Sequence, residues 1–160
     1  MCSYDLNSVK YYADDENYTT FECTVESFVV EEDYISITFK HSQKDFYDKF
    51  KIVGKSIDLA INNGLLSVLQ KDEIFTITSA DKYLGDGWAY PIVELVYKDN
   101  TIIPYETGKT NYLEVQQEAE DFSKLYITIL GSIIGVLAVI DAVSIVGLYL
   151  LTKQKKQSSR

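Results

Sequence analysis

Arginine, histidine, proline and cysteine are almost missing from this chain of 160 residues, which has one Arg (Arg160), one His (His41), two Pro and two Cys. Each scarcity closes a class of explanation. Cys2 and Cys23 permit one bridge at most, so a disulfide framework is excluded. Cys23 alternates with Phe21 and Val25, the phase of a core position, and a buried free thiol behaves as a small hydrophobe. Neither Cys lies at metal-ligand spacing from His41, so zinc and Cys-His nucleophilic chemistry have no support, and no paired catalytic group is visible. The run Glu31-Glu32-Asp33 lacks the alternation and Gly of a calcium loop and reads as a solvated hairpin tip. No Gly-rich phosphate loop or nucleotide fingerprint occurs. The expectation is therefore no cofactor, no metal and no enzyme. Basic residues that are almost all Lys match the codon usage of an AT-rich genome and suggest a bacterial source.

What is present divides the chain. Residues 1–121 hold ten Lys against 23 Asp or Glu, a net charge of −13, whereas every charged residue after 151 is basic. A domain so acidic repels phosphate backbones, which disfavours nucleic acid as a partner and leaves cationic partners or simple solubility. Residues 125–151 read LYITILGSIIGVLAVIDAVSIVGLYLL, interrupted only by Asp141 and longer than the roughly 20 apolar residues that cross a bilayer. At about 1.5 Å per residue the run reaches about 40 Å against a hydrocarbon core of about 30 Å, so the span should tilt or protrude. Tyr126 and Tyr149 sit near its ends, and Lys153, Lys155, Lys156 and Arg160 follow at once. The positive-inside rule then predicts a single-pass protein of the cell membrane, with the tail cytoplasmic and the acidic domain outside. The first residues have no basic, apolar or cleavage region of an export signal. That predicts an upstream apolar segment missing from this sequence, in agreement with the basic tail, or else tail-first insertion with the domain in the cytoplasm.

Within the span, Gly131, Gly135, Ala138 and Ala142 fall at i, i+4, i+7 and i+11, a ridge of small residues that lets another helix approach closely. Asp141 lies about 80° around the helix from Gly131, at the margin of that ridge, and an ionisable group at mid-span faces protein or water rather than lipid. These five residues are the expected helix-packing site of a homo- or hetero-oligomer. The blander reading is a lone anchor in the lipid bilayer that tolerates Asp141.

Residues 1–18 are polar and acidic and read as a flexible lead-in, with Asn17-Tyr18-Thr19 matching a glycosylation sequon. Phe21, Cys23 and Val25, then Ile35, Ile37 and Phe39, alternate with polar residues across the acidic turn, which predicts a hairpin of half-buried strands. Phe28, Val29 and Val30 break the alternation at a bulge or a change of face. A third strand at 50–53 closes at Gly54. Ser56 is placed to cap a helix carrying Ile57, Ala60 and Ile61, Gly64 follows its end, and Leu65, Leu66, Val68 and Leu69 add an apolar turn. Strands at 74–79, 92–97 and 101–105 follow, with Pro91 and Pro104 marking strand ends.

Five or six short strands with a helix between the third and fourth make a mainly β fold, a small OB-like β-barrel over residues 19–108. Residues 109–124 read as a polar helical stalk, 125–151 as the C-terminal transmembrane α-helix and 152–160 as the basic tail. The stretch INNGLLSVLQKDEIFTIT, with Gly85-Asp86-Gly87-Trp88, Pro91-Ile92-Val93 and Tyr105-Glu106-Thr107-Gly108, resembles uncharacterised bacterial membrane-anchored proteins with an OB-like β-barrel domain set beside or between transmembrane segments. The resemblance covers residues 19–115, implies no known reaction or ligand, and agrees with a further span upstream.

Gly85-Asp86-Gly87-Trp88 is the most distinctive local run, because Asp-Gly is a turn signal and Trp88 is the one Trp. With Tyr83 and Tyr90, Asp86 and Trp88 would form a platform for a sugar ring or an extended peptide on a barrel loop; the alternative is a structural loop with Trp88 packed over the barrel mouth. The expected function is a membrane-tethered, non-enzymatic binding or adaptor domain for a protein, peptide or envelope component. An OB-like binder of oligosaccharide or single-stranded nucleic acid is the alternative, and a simple membrane-anchored accessory protein a further one.

Overall fold

The alternation of Ile35, Ile37 and Phe39 becomes the inner face of a barrel in the computed structural model, which describes residues 8–41, 47–80 and 89–157. Strands β1 (Tyr18–Val30), β2 (Tyr34–His41) and β3 (Tyr47–Val53) form an antiparallel meander. Its first tip is the exposed Glu31-Glu32-Asp33 turn, closed by the Glu31 N–H donating to the Tyr34 carbonyl at 2.9 Å. Strand β4 (Ile74–Ala80) runs antiparallel along the other edge of β1, and β5 (Tyr90–Tyr97) antiparallel to β4. A short parallel contact, Phe50 with Tyr90 and Lys51 with Pro91, joins β3 to β5. The circuit β1-β2-β3-β5-β4 is thus a closed five-stranded barrel of OB-like order, with helical turns between its third and fourth strands. Strand β6 (Asn100–Ile103) adds to the outer edge of β5, where Asn63 Nδ2 donates to the Ile102 carbonyl at 2.7 Å and satisfies an edge acceptor.

Period two explains the filling. Val25, Ile35, Ile37, Ile52, Ile77 and Leu95 have no exposed area, and each such burial contributes about 1.5 to 3 kcal/mol. Ala60, Leu65 and Leu69, from the segment between β3 and β4, join the same core. Cys23 is a buried free thiol whose Sγ lies 3.7 Å from the Phe75 carbonyl, and burial pushes its pKa up. The break of alternation is a bulge: the β1–β2 register slips between Val25 and Ser27. Beyond it, Phe28, Val29 and Val30 stay exposed, because β4 pairs with β1 only as far as Thr24.

The expected helix between β3 and β4 is α2 (Ser56–Asn62), Gly64 takes φ +85° just past its end, and the apolar turn that follows is a short helix of its own, α3 (Leu65–Val68). Other local expectations are corrected. Ser56 is not the cap: Lys55 holds that position without a side-chain bond, while Ser56 is buried and its Oγ accepts from Asn111 Nδ2 at 3.2 Å. The last strand stops at Ile103, since Pro104 and Tyr105 turn the chain into α4 (Tyr105–Gln157). Pro91 is the second residue of β5.

Within the lead-in, residues 8–17 form α1 (Ser8–Ala13) and a 3₁₀ turn (Asp15–Asn17) in which Asp14 Oδ1 accepts the Glu16 N–H at 3.1 Å. The first turns of α4 are no free stalk either. Gly108 is pressed against β5 so closely that a Cβ there would collide with the Val93 carbonyl oxygen. Tyr112, Gln116 and Glu120 follow at intervals of four, and all are buried. Tyr12 packs edge-on against Tyr112 with centroids 4.9 Å apart, and Glu120 Oε1 accepts the Val9 N–H at 3.0 Å, which holds α1 to α4. Tyr12, Ala80, Val93 and Tyr112 form a second core with Tyr11, Tyr18 and Tyr105 around it. The polar look of residues 109–124 concealed this, because Gln and Glu occupy the buried row.

The chain divides into two compact units, Met1–Glu120 and Asp121–Arg160. In the second, large apolar side chains such as Ile134, Val139 and Val143 are 63% to 68% exposed. Helix α4 is long and apolar enough to cross a membrane, with an 18-residue window of mean hydropathy 2.5.

Candidate functional site: the barrel mouth

At one end of the barrel, β1, β3 and β5 begin and β4 ends. A cleft of about 180 Å³ opens there, lined by Thr19, Phe21, Asp48, Phe50, Ser79, Ala80 and Tyr90. Strand phase positions them. Thr19 and Phe21 continue the inward series of Cys23 and Val25; Asp48 continues that of Phe50 and Ile52; Ser79 continues that of Phe75 and Ile77. Three aromatic rings stand together, with Phe21 to Phe50 and Phe50 to Tyr90 each 5.6 Å between centroids. Ser79 Oγ donates to the Pro91 carbonyl at 2.7 Å and ties the end of β4 to the start of β5. Among the described residues, Asp48 is the one charged lining residue, and it is partly exposed.

Of the four residues expected to bind ligand, Tyr90 lies in this cleft. Tyr83, Asp86 and Trp88 fall within 81–88, outside the described residues. Sequence reasoning missed Thr19, Asp48 and Ser79. The signal was available: each is a polar residue in the inward phase of its strand, at the strand's end.

Other polar constellations are structural. Lys109 Nζ donates to the Asp15 carboxylate and, at 2.9 Å, to the Ala13 carbonyl, and the Tyr105 hydroxyl donates to Asp15 at 2.6 Å. The Lys109 bond first, then that of Tyr105, holds the Asp15 pKa below its ordinary value. Burial first, then the bond to Asp15, pushes the Tyr105 hydroxyl up. A second cleft, of about 350 Å³, is lined by Glu22, Asp72, Glu73, Ile74, Thr76 and Lys98. Among the described residues, no three His, Cys, Asp or Glu converge to hold a metal ion.

On α4, Gly131, Gly135, Ala138, Asp141 and Ala142 are all exposed, and nothing lies within 4 Å of a Cβ built on Gly131 or Gly135. The hydroxyls of Thr128, Ser132 and Ser144 donate to carbonyls four residues back, at 2.8 to 2.9 Å, so these polar groups are satisfied within the helix.

By fold and composition the chain is an OB-like barrel with one helix long and apolar enough to cross a membrane. Compared with known protein families, curated proteins and solved structures, it matches none.

Proposed function

We propose that this protein is a membrane-tethered, non-enzymatic binding or adaptor domain that takes a protein, peptide or envelope component at its barrel mouth. The cleft carries this reading. Inward strand positions are filled at least cost by apolar residues, as the rest of this barrel shows, and the Asp48 carboxylate and the hydroxyls of Thr19 and Ser79 among three aromatic rings are the polar anchors of an otherwise apolar binding pocket. In this reading the protein is single-pass, with the barrel outside and the basic tail in the cytoplasm. The helix pairs laterally through Gly131, Gly135, Ala138 and Ala142, with Asp141 at the margin of the contact.

The test uses the full chain in lipid nanodiscs, titrated with peptides, glycans and small envelope components. Tyr90→Ala should weaken any specific ligand at least about tenfold, with the circular dichroism spectrum unchanged. Ligands indifferent to Tyr90→Ala would place recognition elsewhere. For orientation, the exposed Ser27 is replaced by Cys in a Cys2→Ser background, and labelling of intact cells by an impermeant maleimide should reach it.

A second reading has one observation behind it. Lys49 and Lys51 alternate outward from Phe50 and Ile52, opposite Thr38 and Ser36 of β2, and Lys51 Nζ lies 4.4 Å from the centroid of the Tyr34 ring. The β2–β3 face is where OB barrels take extended oligosaccharides or single strands. Binding there would weaken steeply with salt and with Lys49→Glu, and would ignore Tyr90→Ala.

A further inference from the structure

The last residues of β1 form an open strand edge. Strand β4 pairs with β1 only from Tyr18 to Thr24, and Val25 still exchanges bonds with the residues just before β4, its N–H donating to the Glu73 carbonyl at 2.9 Å and its carbonyl accepting the Asp72 N–H at 2.8 Å. Asp72, at φ +69°, belongs to a turn closed by the Glu73 N–H and the Gln70 carbonyl, so no residue before it continues along β1. On its other side β1 stays paired with β2 as far as Val30. Bonded and unbonded pairs alternate along an antiparallel ladder. With Glu31 bonded to Tyr34, Val29 and Ser36 are a bonded pair, while Val30 with Ile35 and Phe28 with Ile37 are not. The N–H and C=O groups of Phe28 and Val30 therefore point away from β2, and among the described residues no backbone group meets them. Directly opposed side chains share a face, which puts Phe28 and Val30 on the face of Ile37 and Ile35. Those two isoleucines have no exposed area, but Phe28 and Val30 are 42% and 43% exposed. The core face is covered at β2 and bare at β1.

We propose that this edge takes an extended polypeptide segment as an added antiparallel strand, in the line that β4 leaves, with apolar residues opposite Phe28 and Val30 and a basic residue opposite Glu31. Strand addition gains affinity from main-chain bonds and specificity from alternate side chains. Exposed edges are commonly blunted by a charge or a proline, and residues 27–30, Ser-Phe-Val-Val, have neither. Charge selects the occupant. The edge runs into Glu31-Glu32-Asp33, all three exposed, and residues 1–121 carry a net charge of −13, so an added strand is favoured when the residues that reach the turn are Lys or Arg. Because that strand runs antiparallel to β1, its basic residues lie at its N-terminal end. A second copy of this chain is disfavoured by the same charges, since symmetric pairing of Phe28 with Val30 would bring both acidic turns to one short edge. The surface is also separate from the barrel mouth, because none of residues 26–33 lines that cleft.

The test uses the full chain in lipid nanodiscs at about 0.15 M salt. Amide hydrogen exchange is followed at Phe28 and Val30, without and with the peptide acetyl-Lys-Lys-Val-Thr-Val-Thr-amide at about 2 mM. Both amides should exchange freely in the chain alone and slow at least about threefold with the peptide. N-methylation of the two valines, whose N–H groups would donate to the Phe28 and Val30 carbonyls, should abolish the slowing, and N-methylation of the threonine between them should not. Replacing both peptide lysines by glutamate should weaken binding at least about fivefold. Val30→Pro removes an edge donor and keeps the bonds to β2, so it should abolish binding with the circular dichroism spectrum unchanged, whereas Tyr90→Ala should leave binding as it is. No slowing with the peptide, slowing that survives methylation of the valines, or equal binding of the glutamate peptide overturns the proposal. Amides protected without peptide overturn it as well: in discs holding two chains only, they assign the edge to a second copy, and in discs holding one, to the chain itself or the bilayer. Binding lost in Tyr90→Ala would move the peptide to the barrel mouth and overturn the edge assignment. The methylated peptides act on the unaltered protein, so a Val30→Pro chain that failed to fold would not remove the test.

Discussion

Ile77 and Val139 are built from the same kinds of apolar atom, yet Ile77 has no exposed area and Val139 is 63% exposed. Ile77 belongs to a unit that turns its hydrophobes inward because its solvent is water. Val139 belongs to one that turns them outward on a single helix, the arrangement that suits hydrocarbon, where backbone groups must be satisfied within the segment. The same difference appears in the polar groups. In the barrel unit, Thr78 donates to Glu94 and Ser79 to a neighbouring strand; in the second unit, Thr128, Ser132 and Ser144 return to their own helix. Apolarity alone therefore does not say where a side chain is buried. The partner surface does.

Equal truncations in the two units separate them most directly. Ile77→Ala should lower barrel stability by about 2 to 5 kcal/mol, read by chemical denaturation in nanodiscs, whereas Val139→Ala should leave the barrel transition where it is. Equal losses would mean that the second unit is packed like the first. Next in size is Gly108→Ala, which must push α4 from the Val93 carbonyl; overpacking of this kind costs about 1 to 3 kcal/mol and should show as a lower Tm. An unchanged Tm would detach the first turns of α4 from the barrel. Gly131→Ile with Gly135→Ile sharpens the contrast, since it should leave barrel stability untouched yet weaken self-association or partner recovery in membranes, measured by crosslinking or energy transfer.

The smallest expected effect is the pH response of the α1 latch. Asp15 has its pKa lowered by Lys109 and Tyr105, so its contribution is present above the ordinary value of 3.8 and is lost as pH falls through the lower folded value. Hydrogen exchange over residues 8–17 should quicken below about pH 4 while the barrel strands stay protected. Lys109→Gln should remove that pH step; its persistence in the variant would assign it to another group.

Much of the barrel was legible because its strands follow period two. Phe21, Cys23 and Val25, and Ile35, Ile37 and Phe39, could occupy one face of a sheet only in a strand, and Gly64 announced the end of α2. The cleft was half legible. Tyr90 stood out as an aromatic beside a turn-rich run, but Asp48 looked like one more acid among the 24 of the chain until β3 put it in phase with Phe50. The docking of α4 was hidden for a different reason. Tyr112, Gln116 and Glu120 form a buried row that contains a carboxylate, and a carboxylate is buried only where a donor waits for it. That donor is the Val9 N–H, more than a hundred residues away in the chain.

The two solvents, water for one unit and, for the other, a length and composition that suit a membrane, can be read from local hydrophobicity and its period. Which residues lie beside one another is a matter of long-range packing. Closure of β3 on β5 brought Asp48 to Tyr90, and the approach of Gly108 to β5 made the start of α4 part of the barrel. Such contacts join residues far apart in the chain, and their energy depends on shape and hydrogen-bond geometry that no local pattern encodes.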